Sequence, residues 1–158
     1  MTTSKTSVIY NVLILSLSFG LTLPAVSADF AKTQAIAEQE DADAQYRLGF
    51  KYYMGNKGVE QDYAKAFEWY LKSASQGNAE AQNNLGELYD KGKGVEQDSA
   101  KAFEWYLKAA EQGDAKGQFN VGALCYKGEG FKQNDNKARE WYLKSARSLP
   151  LCDKEHQH

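Results

Sequence analysis

The 158-residue sequence predicts an all-α solenoid made of three helix-pair repeats, with an N-terminal half-repeat as a cap. Two observations lead to this fold class. The line KAFEWYLKSASQG at residues 65–77 returns 36 positions later as KAFEWYLKAAEQG at residues 101–113, and a third version, KAREWYLKSARSL, begins at Lys137. Apolar residues within each copy recur at helical spacing. A fixed period of about 20 to 50 residues with helical periodicity is typical of a solenoid.

Residues 1–28 have the composition of a secretory signal peptide. A short polar start with one positive charge, Lys5, precedes an apolar stretch from Val8 to Leu23, and small residues surround the expected cleavage after Ala28. A membrane anchor is the alternative, but the apolar run is shorter than the roughly 20 residues that a spanning helix needs. We therefore expect a secreted or periplasmic protein with no stable membrane insertion after cleavage.

Charge and cysteine content argue against several classes of protein. After cleavage the chain carries 18 basic and 21 acidic side chains with no basic block, so a nucleic-acid surface is not expected. Export implies an oxidising compartment, but Cys125 and Cys152 are too few for a disulfide scaffold. The predicted helix ends hold these two residues farther apart than a disulfide allows. We expect two free thiols, with Cys125 buried and Cys152 exposed.

The segment 29–40 is expected to form the N-terminal capping helix. Its stretch FAKTQAIAEQE aligns Phe30 with Phe67 of the first repeat but has no tryptophan, and Glu40 stands where the repeats have glycine. Terminal units of solenoids are commonly atypical because one of their faces meets water. This segment therefore predicts a degraded second helix that covers the first repeat.

Each repeat is expected to contain two helices separated by a glycine turn. We place the three repeats at residues 41–77, 78–113 and 114–148, followed by a flexible tail at 149–158. In the first helix, Ala44, Leu48 and Tyr52 recur every four residues. Glycines inside the first helices predict close contact with another helix, because glycine costs about 1 kcal/mol there against alanine. These glycines are Gly49, Gly86 and Gly122.

The second helices are expected to begin after N-capping residues and to end at glycines. The predicted caps are Asp62, Asp98 and either Asn134 or Asp135. Gly77 and Gly113 follow the first two second helices, where a positive φ is common. Three tryptophans are expected to pack, as structural residues, on the first helix of the next unit: Trp69, Trp105 and Trp141. The scheme predicts seven helices in total.

The full repeat line resembles the Sel-one-like repeat, a relative of the tetratricopeptide repeat. Residues 79–113, AEAQNNLGELYDKGKGVEQDSAKAFEWYLKAAEQG, follow its pattern nearly throughout, whereas the third unit departs from it at Gly117, Val121, Cys125 and Phe131. The resemblance implies a right-handed α/α superhelix that binds other proteins. Exported bacterial members are envelope adaptors or immunity proteins against secreted toxins, and a cysteine-rich branch is linked to penicillin binding and β-lactam hydrolysis.

Catalytic residues are not evident in the sequence. Catalysis needs a nucleophile with a base, or a set of metal ligands, in one place. The two histidines, His156 and His158, stand at the end of the chain, and Glu68, Glu104 and Glu140 repeat with the packing unit. We therefore expect no enzyme, no metal and no cofactor. The alternative is a β-lactamase-like hydrolase related to the cysteine-rich branch.

A binding surface is expected where the repeats differ. On the first helices, positions turned away from the inward face vary among Tyr, Phe, Arg and Asn, residue types that suit a protein interface. The candidate partner-binding residues are Tyr46, Arg47, Phe50, Asn83, Asn84, Glu87, Phe119 and Asn120. We expect a non-enzymatic module that binds another protein or peptide, as an envelope adaptor or as an immunity or inhibitor protein for a secreted toxin. The sequence leaves its oligomeric state open.

Overall fold

A computed structural model describes residues 28–55, 58–128 and 134–148 of the chain. The described secondary structure consists of seven helices: α1 (Ala28–Ala37), α2 (Ala42–Met54), α3 (Tyr63–Ser75), α4 (Ala79–Lys91), α5 (Ser99–Glu111), α6 (Ala115–Lys127) and α7 (Asp135–Ser148). Each helix packs on the next one along the chain. The predicted solenoid of three helix pairs with one capping helix is therefore confirmed, and the expected signal peptide, apart from its last residue Ala28, and the tail lie outside the described residues.

Side-chain caps fix the start of the helices in the three repeats. An Asp or Asn side chain accepts a hydrogen bond from the backbone N–H three residues further on in each of six helices, at 2.6–2.9 Å. These residues are Asp41, Asp62, Asn78, Asp98, Asp114 and Asn134. The predicted caps Asp62 and Asp98 are confirmed. In the third repeat the cap is Asn134, which accepts from the N–H of Lys137.

The turns after the second helices require a left-handed backbone. Gly77 and Gly113 follow α3 and α5 with φ values of 93° and 92°, as predicted. Glu40 occupies the equivalent place after α1 and has a φ of 66°. A side chain disfavours this conformation by about 1–2 kcal/mol. The junction between the cap and the first repeat is therefore strained where the two internal junctions are relaxed.

A glycine and a tyrosine bring the two helices of each repeat together. A Cβ atom on the glycine of the first helix would lie within 3 Å of a tyrosine ring on the second helix. The pairs are Gly49 with Tyr70, Gly86 with Tyr106 and Gly122 with Tyr142. The predicted close approach at these glycines is confirmed, and the tyrosine next to each tryptophan is the residue that fills the space.

The tryptophans lie elsewhere than expected. Trp69 packs on the cluster shared by α1 and α2, Trp105 on the cluster that joins α3 to α4, and Trp141 on the cluster that includes α5 and α6. The expectation that each one packs on the next first helix was wrong, because the following tyrosine takes that place. Each tryptophan is half-buried, and a lysine three residues further on covers its ring at 3.9–4.1 Å from the centroid.

A repeated glutamine joins each first helix to the helix before it. The Nε2 atoms of Gln45, Gln82 and Gln118 donate to the carbonyl oxygens of Ala37, Ala74 and Ala110, at 3.1–3.2 Å. All three glutamines are buried. In addition, Gln76 donates to Gln45 and Gln112 donates to Gln82, both at 2.7 Å. Because last-turn carbonyls of a helix have no partner within the helix, this bond caps the second helix and fixes the register of the next unit.

Cys125 lies in the core of the third repeat. It is 2% exposed, packed in the cluster that joins α5, α6 and α7, and burial raises the pKa of its thiol. The predicted burial of Cys125 is confirmed. Cys152, His156 and His158 lie outside the described residues, so the expectation of two unpaired thiols stays a prediction.

Candidate protein-binding surface

The three first helices form one surface because neighbouring first helices contact each other. The Tyr53 hydroxyl on α2 donates to Glu87 Oε1 on α4 at 3.0 Å. The Asn120 amide on α6 donates to Asn83 Oδ1 on α4 at 2.9 Å. The structure therefore brings the eight candidate residues together on α2, α4 and α6, although they come from three separate repeats.

The α2 end of this surface is aromatic. The Tyr46 ring lies 5.9 Å from Tyr70 in a stacked arrangement and 6.5 Å from Phe50. Phe50 is 45% exposed, and Arg47 is exposed beside it. Burial raises the pKa of Tyr46, and the negative charge of Glu80 raises it further while a hydrogen bond with Asn84 opposes the change. This end can offer an apolar contact and a positive charge to a partner.

The middle of the surface is held by contacts between the repeats. Asn83 is only 4% exposed, and its amide group contacts Asn84 at 3.4 Å as well as Asn120. The expectation that Asn83 lies on the surface was wrong, because α6 packs beside it. Asn84 and Asn120 are half-buried, and the amide of each has more donor and acceptor sites than these contacts use.

Glu87 is likewise engaged inside the protein. Its carboxylate accepts hydrogen bonds from Tyr53 and from Lys91 Nζ, the latter at 2.5 Å, and Lys93 Nζ donates to the same tyrosine at 3.1 Å. Burial raises the pKa of Glu87, but the hydrogen bonds from Lys91 and Tyr53 and the nearby lysine charges outweigh it, so the pKa lies below its ordinary value. Glu87 therefore links the first two repeats through an ionised carboxylate.

The α6 end of the surface is open. Phe119 is 54% exposed, with its ring centroid 5.3 Å from that of Tyr142. A shallow groove of about 370 Å³ lies next to it, lined by Asn83, Glu87, Ala115, Lys116, Phe119, Asn120 and Ser145. Four of the eight candidate residues line this groove. It is the part of the candidate surface best shaped to receive a side chain of a partner.

One buried hydroxyl lies below the candidate surface. Tyr70 is fully buried, and its hydroxyl has no hydrogen-bond partner of normal geometry in the described part of the chain. Burial raises its pKa, and the side chain of Asn84 lies near enough to oppose that rise. The hydroxyl is therefore neutral at physiological pH, and the Tyr70 side chain is a packing residue of the core.

The described residues carry no set of side chains suited to metal binding. Over residues 28–55, 58–128 and 134–148, His, Cys, Asp and Glu do not gather in groups of three or more that could hold a metal ion. A second concavity of about 340 Å³, between α1 and the start of α3, contains Asp62, whose carboxylate caps α3. The same part of the chain has no helix with the length and apolar character needed to cross a membrane.

Three comparisons connect this architecture to known proteins. The family model for the Sel1 repeat matches residues 42–78, 79–114 and 115–148. A solved structure of a Sel1 repeat protein from Oxalobacter formigenes is 38% identical with a TM-score of 0.67, covering 79% of this chain and 46% of that one. Helicobacter pylori cysteine-rich protein B is 22% identical with a TM-score of 0.62, covering 80% and 95%, which shows a shared fold alone.

Among curated proteins, the chain is similar to a component of a larger assembly. The ERAD-associated E3 ubiquitin-protein ligase component HRD3A of Arabidopsis thaliana is 38% identical over 64 residues, which are 40% of this chain and 9% of that protein. The chain therefore matches less than a tenth of this relative and less than half of the Oxalobacter formigenes protein. The similarity concerns the repeat and not the whole of either protein.

Proposed function

The chain belongs to the Sel1 repeat family, whose members typically mediate protein–protein interaction, and from this premise we propose that the surface of α2, α4 and α6 binds another protein. The observation that carries the proposal is the exposure of Phe50 and Phe119, at 45% and 54%, at the two ends of that surface. Each phenylalanine lies beside a tyrosine, Phe50 beside Tyr46 and Phe119 beside Tyr142, and contiguous exposed apolar patches bordered by polar residues mark interaction sites.

The arrangement suits an extended segment of a partner. Apolar side chains of the segment would contact Phe50 and Phe119, and the groove beside Phe119 would receive one of them. Between the two phenylalanines, Asn84 and Asn120 offer amide groups for the backbone of the segment. Arg47, exposed beside Phe50, favours a carboxylate on the partner at that end.

We further propose that the protein works outside the cytoplasm and is not an enzyme. The composition of residues 1–28 supports export, and export together with the repeat family supports an envelope adaptor or an immunity or inhibitor protein for a secreted toxin. Mass spectrometry of the protein from the periplasmic fraction tests export, with a mature chain that begins at Asp29 as the expected result. A full-length mass there would contradict cleavage.

Site-specific photo-crosslinking tests the binding surface. A photoreactive amino acid is placed at Phe50, Phe119 or, as a control, at Leu71, which is 36% exposed on α3. We expect a discrete adduct from the two positions on the surface and none from Leu71. Adducts from Leu71 alone, or the same adducts from all three positions, would place binding elsewhere.

The captured protein, once purified, allows a quantitative test. Changing Arg47→Ala together with Asn84→Ala is expected to weaken its binding at least about tenfold, because an exposed charge and a half-buried amide on the surface are removed. The helical circular dichroism and the melting temperature are expected to stay nearly unchanged. Incubation of the purified chain with a chromogenic β-lactam is expected to give no turnover; turnover that a nucleophile substitution abolishes would favour the hydrolase alternative.

A further inference from the structure

The third repeat exposes a face whose central tyrosine and alanine are covered by the next first helix in the first and second repeats. We define the end face as five residues of α6 and α7: Phe119, Tyr126, Tyr142, Leu143 and Ala146. Phe119, Tyr126 and Leu143 are 54%, 59% and 49% exposed, Ala146 is exposed and Tyr142 is half-buried. Three aromatic rings and a leucine on one end of the array form an apolar surface of the kind that marks an interaction site.

The equivalent face of the first repeat shows what lies on such residues. At the corresponding positions stand Tyr46, Tyr53, Tyr70, Leu71 and Ala74. Helix α4 packs on the tyrosine and the alanine of this set, so that Tyr70 and Ala74 pack with Ala81, Leu85 and Leu88 and are 0% and 2% exposed, whereas Leu71 stays 36% exposed. The Tyr53 hydroxyl, at the position of Tyr126, donates to Glu87 of the same covering helix.

The second repeat repeats the arrangement. Tyr106 and Ala110, at the positions of Tyr142 and Ala146, are both 3% exposed and pack with Val121 of α6. In both repeats the covering helix also donates from a glutamine to the carbonyl oxygen of the alanine: Gln82 to Ala74 and Gln118 to Ala110. In both repeats, therefore, the next first helix covers the tyrosine and the alanine through the same two contacts: apolar packing on the tyrosine ring and the glutamine bond to the alanine carbonyl.

We propose that the end face binds an amphipathic helix of a partner protein with the chemistry of a Sel1 first helix. Such a helix has a small residue and a glutamine in its first turn, for the Ala146 carbonyl, and a leucine or valine three residues after the glutamine, for the Tyr142 ring. A carboxylate two residues after that apolar residue would accept from the Tyr126 hydroxyl, as Glu87 does from Tyr53. This site shares Phe119 with the extended-segment surface but is otherwise formed by Tyr126 and by α7, and the proposal does not depend on that surface.

The chain supplies its own probe for the test. A synthetic peptide with the sequence of residues 78–92, held helical by a side-chain bridge on its solvent face, carries all of these groups. It is titrated to about millimolar concentration into the ¹⁵N-labelled full chain. We expect saturable shifts centred on Tyr126, Tyr142, Leu143 and Ala146, and none with a peptide that has Leu85→Asp and Leu88→Asp.

Matched variants of the full chain assign the binding site. Ala146→Arg is expected to weaken the peptide at least about tenfold, because alanines at this position lie beneath the covering helix. Leu143→Asp provides a second test, since Leu143 is 49% exposed and contributes little to the fold. Glu140→Gln has the same charge change as Ala146→Arg, lies on an exposed position of α7 and is expected to have no effect.

Four results would overturn the proposal. The first is the absence of shifts at millimolar peptide, and the second is shifts centred on Phe50 and Asn84, which would place the peptide on the other surface. The third is binding that appears only after deletion of residues 149–158, which would make that segment the occupant. The fourth is a dimer in sedimentation that Ala146→Arg dissociates, which would make the occupant a second copy of the chain.

Discussion

Tyr70 and Tyr142 hold the same position in the first and third repeats, yet their surroundings differ. Both rings lie against a glycine of their own first helix, at Gly49 and Gly122. Tyr70 is also covered by α4 and is fully buried, whereas Tyr142 is half-buried at the end of the described array. The difference shows that the next first helix provides part of the burial of this tyrosine.

The N-terminal end of the array is closed in a different way. Helix α1 covers the first repeat with Phe30 and Ala37, which are 7% and 1% exposed. The junction after this cap has a strained backbone, because Glu40 adopts the left-handed conformation that glycine adopts at the two later junctions. The stability of a solenoid is approximately the sum of the stabilities of its repeats and of the interfaces between neighbours. Equivalent substitutions at the two ends should therefore change the free energy of unfolding by different amounts.

The largest expected effect concerns the two tyrosines. Tyr70→Ala is expected to lower the free energy of unfolding by about 3–5 kcal/mol, because a fully buried aromatic leaves a cavity. Tyr142→Ala is expected to cost less than half as much, since water already reaches that ring. Urea denaturation followed by circular dichroism measures both values. Equal losses would mean that the end of the array is covered in solution.

The next effect concerns the repeated tryptophans. Trp105→Ala is expected to cost about 3 kcal/mol, at the low end for a core aromatic, because Trp105 is half-buried and Lys108 covers its ring. Partner binding to the first-helix surface should persist as long as the chain stays folded. An unchanged melting curve together with lost binding would show that the tryptophans bind a ligand and would refute the prediction that they stabilise the fold by packing.

A smaller effect is expected at the strained junction after α1. Glu40→Gly is expected to stabilise the protein by about 1 kcal/mol, because glycine adopts a φ of 66° without the penalty that a side chain incurs. Gly77→Glu is the matched control at the relaxed junction and should destabilise by a similar amount. The two melting temperatures, measured together, check the signs. A loss of stability in Glu40→Gly would contradict the strain.

The smallest effect is a dependence on pH. The pKa of Glu87 is lowered in the folded state, so its contribution is present above the unfolded pKa of about 4.5 and is lost as the pH falls through the folded value. The stability difference between the wild type and Glu87→Gln is therefore expected to shrink between pH 7 and pH 3. Glu104→Gln, exposed on α5, is the control and should show no such trend.

The repeat period predicted most of the fold because helical pairs with a fixed period have few ways to pack. The helix count, the caps at Asp62 and Asp98, and the close approach at Gly86 all followed from spacing. The place of the tryptophans did not follow, because the Trp-Tyr pair puts two aromatic residues 100° apart and the sequence alone does not say which one meets the next repeat.

The candidate surface was predicted less well than the fold. Positions that vary between repeats indicated which side of the first helices to consider, and Phe50 and Phe119 do lie there. Variation alone did not separate Asn83, whose amide joins two repeats, from residues that remain open to a partner. The buried glutamines were missed, although their identity at the same place in all three repeats, at Gln45, Gln82 and Gln118, was a signal that could have revealed them.

The contacts between neighbouring first helices have a consequence for folding. Helices α3 and α5 contain the same KAFEWYLK line, so each has nearly the surface needed to pair with the first helix of the other repeat, within one chain or between two. The bonds that are not repeated distinguish the correct neighbours: Tyr53 meets Glu87 only between the first two repeats, and Asn83 meets Asn120 only between the last two. These pairs therefore oppose misassembly in which a repeat packs on the wrong neighbour, a characteristic failure of repeat proteins.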